Sequence, residues 1–219
     1  MYFTSTADPT VRVECKRAIV SAFGVNGGLL VPVDIPKISI DELKSLSKLS
    51  YVDLLSNVLF RFVGEEFSEQ ELREMFADIP TKFKCGEEMI PLKEIVTPKG
   101  HKVSVAELFH GPSLAFKDLA TIPSCRLINR MIGKTDGIQR ALLTVATSGD
   151  TGASVCGAVE NCENLDVMVF LPGHGRVSKI QELQTITWKQ DNAHIFVPGL
   201  SNILPALPKL FSINCRCNQ

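Results

Sequence analysis

A single lysine lies in a setting that could make its amine reactive. Lys117 follows the apolar segment 114–116 and precedes Asp118. Apolar neighbours remove water from an amine, which disfavours the ammonium form and lowers the pKa. Such an amine can act as a nucleophile or form a Schiff base with a carbonyl. The same window also fits a surface lysine that starts a helix and pairs with Asp118, and the window alone favours this second interpretation.

A second stretch, residues 147–152, combines two glycines with hydroxyl and carboxylate side chains. The glycines allow a ligand to approach the backbone closely, and the first N–H groups of the following helix are suited to an anion. The alternative is that Ser148 or Asp150 simply caps that helix. The residues of this stretch are Thr147, Ser148, Gly149, Asp150, Thr151 and Gly152.

A third stretch, residues 173–178, contains Arg176 between glycine and serine residues. One arginine beside a helix N-terminus indicates an anion subsite, since a guanidinium can bind a phosphate through two hydrogen bonds. The competing interpretation is an ordinary surface cation at the rim of a sheet.

Strands and helices alternate in the sequence after residue 100, and this alternation predicts a parallel α/β sheet. Ligands bind such sheets at the loops beyond the carboxyl ends of the strands, where the second and third stretches fall. Pro123 lies inside a predicted helix and indicates a kink or a late helix start. The predicted strands are 103–109, 141–146, 166–171 and 193–197, and the predicted helices are 117–131, 153–159 and 178–188.

The first hundred residues predict a small α+β region. Glycines and prolines divide its start, where a short helix is expected over 12–23 and an edge strand or loop over 29–31. Helical spacing of apolar residues then predicts helices from residue 39 to 78, and Ser68 to Glu71 forms a capping box. A second capping box is expected at Ser178 to Gln181, and residues 79–100 indicate a loop-rich connection.

Composition limits the class of protein. The chain has 219 residues, of which 45% are apolar and 21% charged, with a net charge of -1. These values are typical of a globular protein with one large domain or two small ones, and they argue against nucleic-acid or anionic-membrane binding. No apolar run reaches membrane-spanning length and no secretory leader is evident, so a cytoplasmic protein is expected. The seven scattered cysteines indicate free thiols rather than a metal site or disulfides.

Five segments resemble motifs of threonine synthases and threonine synthase-like proteins, and they occur along this chain in the same order as in that family. Residues 108–118 (LFHGPSLAFKD) look like the family's lysine motif, and residues 147–152 (TSGDTG) are similar to its second signature. Residues 26–32 resemble the D-G-G-L-[YF]-x-P element, with Asn26 in place of aspartate. Residues 5–6 fit the start of an S-T-R-G element, and residues 175–184 also fit.

The resemblance implies pyridoxal phosphate (PLP) as cofactor on a partial tryptophan-synthase-β-like scaffold, the PLP fold-type II parallel sheet. Lys117 would bind PLP as a Schiff base and then shuttle protons as general base and acid. Ser148, Gly149, Asp150 and Thr151 would hold the cofactor's hydroxyl side and the substrate carboxylate. Ser113 stands where the family usually has threonine and would help to bind substrate, and Arg176 would bind a substrate phosphate.

The resemblance implies a small phosphorylated hydroxyamino acid as substrate. Threonine synthases convert O-phosphohomoserine to threonine and phosphate. Threonine synthase-like relatives can instead release a keto acid, ammonia and phosphate from O-phosphothreonine. A third possibility, a non-catalytic fragment, stays open at this stage.

Family members are longer and carry a later glycine-rich loop for the cofactor phosphate, whereas no glycine follows Gly199. We therefore expect a C-terminally truncated chain. Residues 1–95 would form the threonine-synthase N-terminal domain and residues 96–219 part of the catalytic domain. A homodimer is a family expectation for the full-length protein only.

Overall fold

The computed structural model describes residues 1–21, 23–24, 27–173, 175–188 and 190–197. Asn26 of the predicted N-terminal turn lies outside these residues, as does the segment 198–219. Mixed helices and strands follow one another along the described chain, and the strands form three separate sheets.

The N-terminal sheet is antiparallel and has three strands. Strand β1 (Tyr2–Ser5) lies between β2 (Asp8–Glu14) and β3 (Leu30–Pro32) and pairs with both, so β3 is an edge strand, one of the two alternatives predicted for residues 29–31. The helix expected over 12–23 is shorter, because residues 12–14 belong to β2 and Val13 pairs with Phe3. The helix α1 covers Cys15–Ser21.

Three helices follow, and serine caps each of them. The helix α2 (Ile40–Leu46) starts after Ser39, α3 (Tyr51–Val63) after Ser50 and α4 (Glu69–Phe76) after Ser68. Both hydrogen bonds of the predicted capping box are present, because Ser68 Oγ accepts from Glu71 N–H and the Glu71 carboxylate accepts from Ser68 N–H. These caps satisfy N–H groups that have no partner within the helix.

The capping box predicts an acid-sensitive contribution to stability. The Ser68 N–H and then the Lys134 ammonium lower the pKa of Glu71 from its ordinary value of 4.5 to about 2. A carboxylate whose pKa falls on folding stabilises the folded state above pH 4.5, and that contribution is lost as the pH falls towards about 2. Urea unfolding across this window should show a weaker acid-induced loss of stability in Glu71→Gln than in the wild type. An identical loss in both proteins would contradict the assignment.

A β-hairpin occupies part of the region that was predicted to be loop-rich. Strand β4 (Leu92–Val96) pairs antiparallel with β5 (Lys102–Ala106), and every residue of both strands is exposed. The prediction that residues 103–109 form a strand is therefore correct for 103–106 only, and that strand belongs to the hairpin rather than to the parallel sheet. The prolines and glycines around β4 favoured a loop in the sequence prediction. Strand β4, which is exposed on both faces, also lacks the alternating apolar pattern that would have indicated it.

The helix α5 (Asp118–Gly133) runs through Pro123 without a late start. Proline has no N–H, so the carbonyl of Leu119, one turn earlier, loses its helical donor. The Tyr51 hydroxyl lies 3.3 Å from that carbonyl oxygen and donates to it. Burial raises the pKa of Tyr51, so the phenol keeps the proton that makes this bond.

The third sheet is parallel, as predicted, and its three strands lie side by side in the order of the sequence. Its strands are β6 (Ala141–Ala146), β7 (Leu165–Phe170) and β8 (Ala193–Phe196). The helix α6 (Asp150–Ala158) joins the first two strands, and α7 (Lys179–Ile186) joins the second and third. The helix α6 begins three residues before its predicted start, and α7 ends two residues before its predicted end at residue 188.

One buried cluster connects the helices with the parallel sheet. Residues of α4, α5, α6 and β7 contribute, and Leu72, Phe76 and Val167 are fully buried in it. Five cysteines of the described residues are free thiols, and burial raises the pKa of Cys125 to about 12. Within the described ranges, none of the helices has the length and hydropathy to cross a membrane.

Candidate functional site

Lys117 lies immediately before the first residue of α5 and is half-buried. Its Nζ atom is 5.0 Å from the ring centroid of Phe116, an exposed aromatic residue. Among the residues that the structure describes, no carboxylate forms an ion pair with Lys117. The amine thus has an apolar neighbour and no fixed anionic partner, which argues against the surface lysine paired with Asp118.

Asp118 faces the interior instead. Only 1% of its surface is exposed, and its carboxylate accepts three hydrogen bonds. The N–H of Ser113 donates to Oδ2 over 2.8 Å, and the Ser113 hydroxyl donates to Oδ1 over 2.6 Å. The Ser154 hydroxyl, on α6, also donates to Oδ1 over 2.6 Å. Asp118 therefore links the turn before Lys117, residues 111–117 (the lysine turn), to the helix α6.

The turn before Lys117 has a constrained backbone. Leu114 has a φ of 61°, a left-handed conformation that is costly for a leucine and persists only where neighbouring contacts enforce it. A Cβ on Gly111 would overlap the Asp118 carboxylate, so glycine is needed for this close approach. The apolar residues around the lysine, which the sequence identified, thus lie on a turn whose shape depends on Asp118.

The loop 147–152 lies at the carboxyl end of β6, and the loop that contains Arg176 lies at the carboxyl end of β7. Because these two strands pair in parallel, both loops lie at the same edge of the sheet. Within the described part of the chain, the backbone N–H groups of Ser148, Asp150 and Thr151 have no protein acceptor. These donors at the start of α6 can hold a carboxylate or a phosphate.

Two glutamines of α7 contact the turn before Lys117 and the loop 147–152, and sequence reasoning did not assign either of them to the site. Gln181 Nε2 donates to Oδ1 of Asp150 over 3.0 Å, and Gln184 Nε2 donates to the Ser113 carbonyl over 3.1 Å. Their spacing of three residues places both on one face of α7. That spacing was the available signal, but the partners are 31 and 71 residues away in the sequence.

The second predicted capping box is only half formed. Ser178 Oγ accepts from the Gln181 N–H, as a helix cap should. The Gln181 side chain does not return to the Ser178 backbone, because its amide nitrogen is directed at Asp150 and its carbonyl accepts from the Ser178 hydroxyl. A Cβ on Gly149 would lie 2.5 Å from Gln181 Nε2, so the glycine leaves room for this contact.

Arg176 is exposed, and its guanidinium has no ion-pair partner within the described ranges. Its backbone N–H donates to the Gly173 carbonyl over 3.3 Å. No hydrogen bond joins it to Lys117 or to the loop 147–152. The structure thus places Arg176 at the predicted edge of the sheet without linking its side chain to the other predicted site residues.

The fold closely matches that of a known cofactor enzyme. The PLP-bound threonine synthase from Brucella melitensis superposes with a TM-score of 0.81 and 27% sequence identity, over 97% of this chain and 45% of that one. The fold class is therefore α/β, a partial PLP fold-type II parallel sheet preceded by a small α+β region.

Sequence comparisons identify the family. Residues 2–79 match the family description "Threonine synthase N terminus". The chain is 34% identical to Threonine synthase-like 2 of Xenopus laevis over 206 residues, which are 93% of this chain and 42% of the relative. It is 30% identical to the threonine synthase of Pseudomonas aeruginosa over 89% of this chain and 40% of that protein. The chain belongs to the threonine synthase and threonine synthase-like family, and it spans about two fifths of the length of these relatives.

Proposed function

We propose that this chain carries the lysine-bearing part of a PLP-dependent carbon–oxygen lyase of the threonine synthase type. The observation that carries the proposal is the half-buried residue Lys117, whose amine has no ion-pair partner among the described residues. An amine that is not held by a carboxylate is available for covalent attachment to a carbonyl. We further propose the division into residues 1–95 and 96–219, and a cytoplasmic location.

The residues present fit the cofactor in two respects. Lys117 offers the attachment point, and the free N–H groups at the start of α6 offer donors for anionic or hydroxyl oxygens. When bound, PLP supplies an aldehyde for attachment and a ring that accepts electrons from the substrate Cα.

Four of the proposed site residues would have a specific task. Lys117 Nζ would hold the cofactor and, once released, remove and return the proton at the substrate Cα. Ser148 and Thr151 would orient the substrate carboxylate through the N–H groups of their loop, and Arg176 would bind the substrate phosphate with two hydrogen bonds. The substrate-binding role of Ser113 stays a prediction, because its hydroxyl already donates to Asp118.

The proposed reaction consumes O-phosphohomoserine and water and yields threonine and phosphate. The alternative is a phospho-lyase that converts O-phosphothreonine and water to a keto acid, ammonia and phosphate. The 34% identity to Threonine synthase-like 2 of Xenopus laevis supports the alternative, as this relative belongs to the synthase-like branch. Both reactions need the same proton transfer at Cα, so Lys117 serves either one.

Phosphate release separates these functions. The purified chain, supplied with PLP, is given each substrate in turn, and phosphate is measured together with threonine or keto acid. Release from only one substrate, absent in Lys117→Ala, identifies the reaction. Covalent retention of PLP without phosphate release from either substrate would reduce the proposal to a cofactor-binding part of a longer enzyme. Absence of both would overturn it.

A further inference from the structure

The carboxylate of Asp118 has an unusual environment for a residue adjacent to a lysine. It is almost completely buried, and the described residues offer it no cation. Burying a carboxylate costs several kcal/mol unless hydrogen bonds replace the lost water. Three short hydrogen bonds from Ser113 and Ser154 do so, and the N-terminus of the 16-residue helix α5 adds favourable partial charge.

The protons in this network can be assigned by counting donors. The Asp118 carboxylate only accepts, so the single hydroxyl proton of Ser154 points to Oδ1. Thr121 Oγ1, 2.5 Å from Ser154 Oγ, must then be the donor in that contact. The same Thr121 oxygen lies 3.0 Å from the carbonyl of Lys117, and its proton is shared between the two acceptors. The hydroxyls of Ser154 and Thr121 therefore connect the Asp118 carboxylate to the backbone carbonyl of Lys117.

The network also fixes the turn before the lysine from two sides. Ser113 donates to Asp118 through both its N–H and its hydroxyl, while its carbonyl accepts from Gln184 of α7. Leu114, the next residue, has the left-handed φ of 61° that needs such enforcement. Leu114 thus lies between Ser113, which hydrogen bonds hold in place, and the first turn of α5.

We propose that Asp118 is a positioning residue for Lys117. Its carboxylate holds the lysine turn against α6 and, because it is directed inward, leaves the neighbouring amine unpaired. This inference rests on the proposed role of Lys117, and it adds a group that touches neither substrate nor cofactor.

The decisive variant leaves the carboxylate in place and removes its hydroxyl donors. In Ser113→Ala/Ser154→Ala, Asp118 keeps one backbone donor and is expected to turn outward and pair with Lys117. An ammonium paired with a carboxylate keeps its proton and acylates more slowly than an unpaired one. We expect acylation of Lys117 to slow at least about threefold, and amide exchange over residues 113–117 to rise at least about tenfold, since two hydrogen bonds to a charged group are lost.

Three controls distinguish the positioning of Lys117 by Asp118 from a general destabilisation of the fold. Asp118→Asn removes the charge, so exchange should rise while Lys117 acylation does not slow. Ser113→Thr keeps the hydroxyl donor to Asp118, so its Lys117 acylation and its amide exchange should match those of the wild type. Lys134, which lies 4.3 Å from the ring centroid of Phe67, is the internal reference and should acylate at the same rate in every variant. If the double variant does not fold, Ser154→Ala alone is tested in the same assay.

The acylation assay uses the chain without cofactor, read by mass spectrometry, and a parallel sample is treated with PLP and borohydride. Slower acylation in the double variant supports positioning even if the wild type fixes no PLP on Lys117, in which case only the proposed cofactor role fails. Unchanged acylation and exchange in folded double and single variants overturn the positioning role, even if Lys117 fixes PLP normally.

Discussion

Lys117→Ala is expected to lose all covalently retained PLP after borohydride reduction. The wild-type chain should retain about one cofactor per chain, because borohydride converts an imine to a stable amine. No other amine in the described site has this combination of partial burial and no ion-pair partner. The measurement is the cofactor content of the denatured, washed protein, read from its absorbance.

Two lysine variants make this result specific. Lys134→Ala removes another lysine that lies over an aromatic ring, on the opposite end of α5, and should retain cofactor as the wild type does. Lys117→Arg keeps the positive charge but cannot form the bond, and it should retain none. Equal retention by the wild type and Lys117→Ala would show that attachment is nonspecific.

Phe76→Ala is expected to lower the free energy of unfolding by about 3–5 kcal/mol, the range for removing a buried aromatic ring. Phe76 is fully buried in the cluster that joins α4 to α5 and the parallel sheet. Its loss opens a cavity that rigid neighbours fill only in part. Urea unfolding, followed by circular dichroism, measures the change.

The matched control for this prediction is Phe60→Ala, which removes the same side chain from an exposed position on α3. Its effect should stay below about 1 kcal/mol, as for most surface substitutions. Similar losses from both positions would contradict the assignment of the core.

Local signals predicted much of the fold because the interactions that produce them are close in sequence. The capping box of α4 joins residues three positions apart, and the strands of the parallel sheet are short apolar runs bounded by turns. The edge position of β3 followed from its proline. The three loop motifs were placed correctly at strand or helix ends, although their chemistry was read from a family resemblance.

Long-range contacts account for what the sequence did not predict. Pro123 is tolerated because Tyr51, in a different helix, supplies the missing donor. The inward orientation of Asp118 depends on Ser154, 36 residues later, so the window around Lys117 favoured an ion pair that does not form. Only one hydrogen bond of the second capping box forms, because the Gln181 side chain donates to Asp150 and does not bond the Ser178 backbone. In each case tertiary contacts decided between local alternatives.

Peptide mapping of the reduced PLP adduct tests the central claim most directly. The wild-type chain is incubated with PLP, reduced with borohydride and digested, and the modified lysine is located by mass spectrometry. The geometry of the site predicts that the modification lies on Lys117, in the peptide that contains residues 114–118, in clear excess over every other lysine. Modification spread evenly over the exposed lysines, or concentrated on a different one, would contradict the assignment of Lys117 as the cofactor-bearing residue.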